Sequence, residues 1–115
     1  MAEPVIDATV YAQLQDTAGA EFVADLVDTF IEEATGMLAE MRNARAANSA
    51  DRFRRAAHSL KTNSHTFGAM RLGALARELE LNGLDADPAR DEAAIAALEV
   101  EYTRATAALK DLRNG

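Results

Sequence analysis

Residues 49–68 read Ser49-Ala50-Asp51-Arg52-Phe53-Arg54-Arg55-Ala56-Ala57-His58-Ser59-Leu60-Lys61-Thr62-Asn63-Ser64-His65-Thr66-Phe67-Gly68. At about 100° per residue, with Leu60 at zero, Phe53, Ala56, Ala57, Ser64 and Phe67 fall within about 60° of it. His58 lands about 160° away, with Thr62 and His65 beside it and Arg54, Arg55 and Lys61 around them. An apolar stripe opposite a polar face makes an amphipathic helix, and such a stripe must be buried against other elements. Ser49 is the expected N-cap, Asp51 is placed to meet the helix dipole, and Gly68 breaks the run after about Thr66. Both histidines are expected to face solvent.

The chain on either side has the same character. Asp7 can cap a short first helix carrying Val10, Tyr11 and Leu14, with Gly19 ending it. A long second helix is expected from about Glu21 to about Ala47. Its Val23, Leu26, Val27, Phe30, Ala34, Met37, Leu38 and Met41 recur at three- and four-residue spacing. Gly36 inside it costs about 1 kcal/mol relative to Ala and is expected to let a neighbouring helix come close. A fourth helix runs from about Ala69 to Asn82, with Gly83 closing it. Asp87-Pro88 starts the fifth as N-cap and first-turn proline, followed by an a/d seam of Ile95, Leu98, Tyr102, Ala105, Leu109 and Leu112. Four long amphipathic helices with short connections predict an all-α, antiparallel up-down-up-down four-helix bundle, with the additional short N-terminal helix on one end. Residues 1–115 are read as one domain.

Composition agrees. Of the 115 residues 26 are alanine, the best helix former, against only eight Val plus Ile, which strands favour. The only prolines are Pro4 and Pro88, so no obligatory breaker interrupts the stretch between them. The absence of cysteine excludes disulfides, thiolate nucleophiles and cysteine–zinc sites. A net charge of −7 argues against nucleic-acid or anionic-membrane partners. No basic-then-apolar leader and no apolar run of ~18 residues is present, so a cytoplasmic domain is expected.

Within this acidic chain, residues 52–77 hold six Lys/Arg and no acid, a local +6 against −13 elsewhere. A basic island around two exposed histidines is either a solvated helix face or a place where a negative group is handled. An imidazole with an ordinary pKa near ~6.5 is largely neutral at pH 7, so a ring nitrogen can attack an electrophile. Nearby cations suit a transferring phosphoryl group. Metal binding fits poorly, because seven residues separate the histidines by about 10.5 Å of helix and no carboxylate lies between them. The six glycines are scattered singly, so no phosphate-binding loop for ATP is recognisable.

Ala57-His58-Ser59-Leu60-Lys61, then Gly68-Ala69, Leu72 and Leu79-Glu80, resemble the signature of histidine-containing phosphotransfer domains. The motif spans about 23 residues, and the helix order extends the likeness over nearly the whole chain. The resemblance implies that His58 accepts the phosphoryl group. It implies that Lys61 offsets phosphate charge, and that Glu80 hydrogen-bonds and orients the imidazole. Arg54, Arg55, Thr62 and His65 would border the docking partner. It further implies a phosphocarrier with no ATP site, expected as a monomer without a cofactor of its own. Its partners would be response-regulator receiver domains or a hybrid histidine kinase, and Mg²⁺ is expected in the receiver's acidic pocket. The alternatives are a phosphoacceptor module of a chemotaxis-type kinase, or a receiver-binding bundle that transfers nothing. Thr62 departs from the family, which usually has glycine directly after the lysine; Asn63 is a milder departure.

Overall fold

The computed structural model describes residues 5–114, and among these all regular structure is helical. The helices are α1 (Ala8–Ala18), α2 (Ala20–Ala46), α3 (Ala50–Thr66), α4 (Met70–Asn82) and α5 (Pro88–Asn114). A 27-residue helix is about 40 Å long at 1.5 Å per residue, close to the 43 Å long axis of the molecule. The caps are local chemistry. Asp7 Oδ1 accepts from the amides of Thr9 and Val10, and Ser49 Oγ accepts from the Arg52 amide. The Asp87 carboxylate accepts from the Ala89 amide beside Pro88. Asn48 takes a left-handed φ of 53° after α2, the role glycine usually fills, while the Ser49 amide reaches back to the Ala44 carbonyl. Ser49 therefore closes one helix and opens the next, which forces α3 to fold back along α2.

α2 packs against α3 and α5, α4 packs against the same two, and α1 lies on α2 and α3. That is the expected antiparallel bundle, with α2 and α4 at opposite corners. Ion pairs bridge neighbouring helices in this register: Arg52 with Glu40 across α3 and α2, Arg42 with Glu92 and Glu99 across α2 and α5, and Arg113 with Asp28 toward the other end. The core is the expected stripe. Val23, Val27, Phe30, Ala34, Leu38 and Met41 of α2 bury against Phe53, Ala56, Ala57 and Leu60 of α3, Leu72, Ala76 and Leu79 of α4, and Ile95, Leu98, Ala105 and Leu109 of α5. Tyr102, half-buried on the α5 seam, satisfies its hydroxyl by donating to the Ile31 carbonyl. Leu112, at the end of that seam, is exposed.

Two expectations about glycines come out differently. Gly36 does not bring helices together: a Cβ there would meet nothing within 4 Å, and the residue lines an open groove between α2 and α3. Gly68 does more than break a helix. Its φ of +82° lets the Ala69 amide return to the Ser64 carbonyl, and its own carbonyl accepts from the Asp7 amide at 2.8 Å. A Cβ at Gly68 would stand 2.8 Å from the Asp7 carbonyl oxygen. The turn between α3 and α4 is thus the seat of the N-terminal helix.

Candidate functional site

α3 and α4 run antiparallel from the Gly68 turn, which places residue 58 level with residue 80. His58 is exposed on the face of α3 opposite Leu60, which is fully buried. Its Nδ1 lies 2.5 Å from Glu80 Oε2, and Lys61 Nζ donates to Glu80 Oε1 at 2.8 Å. One carboxylate on α4 therefore holds two side chains of α3. The His58 side chain keeps 57% of its exposure while Glu80 keeps 18% and Lys61 22%, so the carboxylate is sheltered beneath an open ring. The Glu80 carboxyl is held below the usual carboxylate range, first by the hydrogen bond from Lys61 and then by that from His58, against the opposing effect of burial.

This fixes the chemistry of the ring. An ionised carboxylate only accepts hydrogen bonds, so the His58 nitrogen facing it must carry the hydrogen. In the neutral ring Nδ1 is then the donor, and the lone pair is on Nε2. The contact with Glu80 thus distinguishes the two ring nitrogens of His58.

The surroundings are less simply basic than the local count of charges suggests. Arg54 and Arg55 both pair with Asp51 on their own helix, at 3.1 and 2.6 Å. Arg52 reaches Glu40 on α2, and Arg71 reaches the buried Glu101 on α5. Among the described residues only Arg77 of the six cations has no ion pair. The expectation that both histidines face solvent is corrected for His65. It is half-buried, and a Cβ at Gly73 of α4 would lie 2.3 Å from its Nε2 and Cδ2. Its ring rests on the α4 backbone because that glycine leaves room, and the residue is less exposed than His58. Thr62 is exposed and donates its hydroxyl to the His58 carbonyl at 3.1 Å. Beside His58, Ser59 enters the α2–α3 groove of about 580 Å³, whose walls include Gly36, Met37, Ala56 and Arg55. Among the described residues no three His, Asp or Glu side chains cluster to hold a metal ion, and no helix is long and apolar enough to cross a membrane.

Of the residues the sequence singled out, the structure brings together His58, Lys61 and Glu80, and sets Thr62 one turn from the histidine. Arg54 and Arg55 stand on the same exposed side, tied to Asp51. Asp51, Gly73 and the groove residue Gly36 complete the surroundings without having been assigned to them from sequence. Asp51 stands directly before the basic run. Gly73 carries no such signal, since a lone glycine in a helix does not say what lies across from it.

Comparison with known proteins falls on this same architecture. The family model described as "Hpt domain" matches residues 25–114, from within α2 to the end of α5. No curated protein sequence matches significantly. Among solved structures, histidine-containing phosphotransfer protein B (HptB) from Pseudomonas aeruginosa PAO1 superposes with a TM-score of 0.83 at 30% identity, over 98% of this chain and 97% of that one. The chain belongs to the Hpt domain family of histidine phosphotransfer proteins.

Proposed function

We propose that His58 takes a phosphoryl group from the aspartyl phosphate of one response-regulator receiver domain and yields it to the aspartate of another. The observation that carries this reading is the Glu80 contact, which occupies Nδ1 and leaves Nε2 free. In the step, the Nε2 lone pair forms the bond to phosphorus as the bond to the aspartyl oxygen breaks, and the electron pair leaves with the carboxylate. Nε2 carries no hydrogen, so no base is needed to remove one. The ring becomes cationic with Nδ1–H intact, and Glu80 lies against that charge. Lys61, three residues from His58 on the same face, can exchange one Glu80 oxygen for a phosphoryl oxygen. Return transfer is the same step reversed.

The receiver supplies its own Mg²⁺, and this chain acts as a monomeric cytoplasmic carrier without an ATP site. Docking uses the exposed rim of Arg54, Arg55 and Thr62, with His65 at its lower edge and the α2–α3 groove alongside. The test is incubation with phosphorylated receivers. Acid-labile label should reach the parent chain and not His58→Gln, whose helical circular dichroism stays unchanged. Label obtained only from a kinase with ATP, never from a receiver, would instead favour a kinase-linked phosphoacceptor module.

A further inference from the structure

We infer that His65 and Gly73 form a positioning pair that sets where Glu80 meets His58, an inference that rests on His58 being the phosphoryl acceptor. Gly73 sits inside α4 with ordinary helical backbone, so no special φ calls for a glycine there. What it accommodates is the His65 ring where it stands: an added Cβ would come within 2.3 Å of Cδ2 and Nε2 and 3.2 Å of Cε1, so the ring would have to move. The imidazole lies against the α4 backbone in a place that any side chain at residue 73 would occupy.

The register makes this contact relevant to the site. His65 is seven residues beyond His58 on α3, and Gly73 is seven residues before Glu80 on the antiparallel α4. The two pairs therefore stand on the same side of the α3–α4 interface, about two turns or ~10.5 Å apart. On the inner side, Leu60, Leu72, Ala76 and Leu79 pack in the core. On the outer side, at the level of His58, the contact between the helices is polar: His58 and Lys61 meeting one carboxylate. The ring on Gly73 is the steric stop on that side. With the inner packing it sets the separation and rotation of α4, and so where the Glu80 oxygens fall.

The test compares His65→Ala, Gly73→Ala and the double variant. It reads the His58 ring tautomer by ¹⁵N NMR and the rate of phosphoryl uptake from a receiver. Each single variant should stay helical, lower the Nδ1–H population of His58 and slow uptake by about tenfold, since a ~1 Å misplacement of a reacting group can cost on the order of 100-fold. The double variant, in which the new methyl fills part of the place the ring left, should recover much of both. The pair has no positioning role if both single variants fold and leave the tautomer at its parent value, even where stability or uptake falls. A parent chain that accepts no phosphoryl group from any receiver would remove the transfer reading, while the tautomer would still decide the positioning claim.

Discussion

Lys61 and His58 are held by opposite oxygens of the same carboxylate: Lys61 Nζ lies 2.8 Å from Glu80 Oε1, and His58 Nδ1 lies 2.5 Å from Oε2. The lysine is the larger cause of the lowered Glu80 pKa. A carboxyl titrating lower in the folded chain than in the unfolded one contributes stability that is complete above the unfolded value and lost as pH falls through the folded one. The Glu80 titration, followed by ¹³C NMR, should thus have its midpoint below the ordinary 4.5. Lys61→Met should raise that midpoint more than His58→Gln does. A midpoint indifferent to Lys61 would mean that the lysine does not hold the carboxylate in solution.

Arg54 and Arg55 are tied to Asp51, so the cationic field a partner meets is smaller than the count of basic residues implies. All three side chains are exposed, and such pairs add little to stability. With an acidic receiver as the proposed partner, their expected effect is on encounter, which salt screens beyond about 8 Å at physiological ionic strength. Reversing both arginines to glutamate should slow association and flatten its salt dependence. Asp51→Asn should speed association and steepen it, at a cost of a few tenths of a kcal/mol from the α3 N-terminus. Stopped-flow binding at several salt concentrations checks both, and indifference to all three changes would reduce the island to a solvated face.

The helices were legible in the sequence because their ends are written in local chemistry. Asp7, Ser49, Gly68, Gly83 and Asp87-Pro88 act on amides or carbonyls within a few residues of themselves. The His58, Lys61 and Glu80 cluster was legible from helical angles together with the family motif. What escaped depends on partners far along the chain. Glu40 and Glu101 come from α2 and α5 to offset Arg52 and Arg71, and no count over residues 52–77 contains them. The wheel put His65 on the polar side correctly, but an angle about one helix axis does not show that Gly73 of the next helix leaves room for the ring.

Gly68 is a point of stability more than of chemistry. An alanine there must take a left-handed φ, at a cost of about 1–2 kcal/mol, and its methyl would press on the Asp7 carbonyl. Gly68→Ala should lower unfolding stability by at least that much and speed hydrogen exchange at the Asp7 amide, which donates to the Gly68 carbonyl. Parent-like stability in chemical denaturation would show that the turn relaxes without loss.

Thr62 places a methyl one turn from His58 while its hydroxyl is engaged with the His58 carbonyl. Its expected effect on docking is therefore steric. Thr62→Gly should speed transfer from receivers other than its own partner, and should lower stability by less than about 1 kcal/mol through lost helix propensity. Thr62→Ser, which keeps the hydroxyl and drops the methyl, should show the faster transfer with a smaller loss. Equal rates for all three residues across several receivers would make the departure from glycine neutral.

The most direct measurement is the isomer of the phosphohistidine formed on this chain. Glu80 faces Nδ1 and favours the tautomer with the hydrogen there, so phosphorylation by a receiver should give a single product, phosphorylated at Nε2 of His58, identified by ring ¹⁵N and ³¹P NMR and absent in His58→Gln. Phosphorus on Nδ1 of His58, or label that persists in His58→Gln and is lost in His65→Gln, would contradict the account.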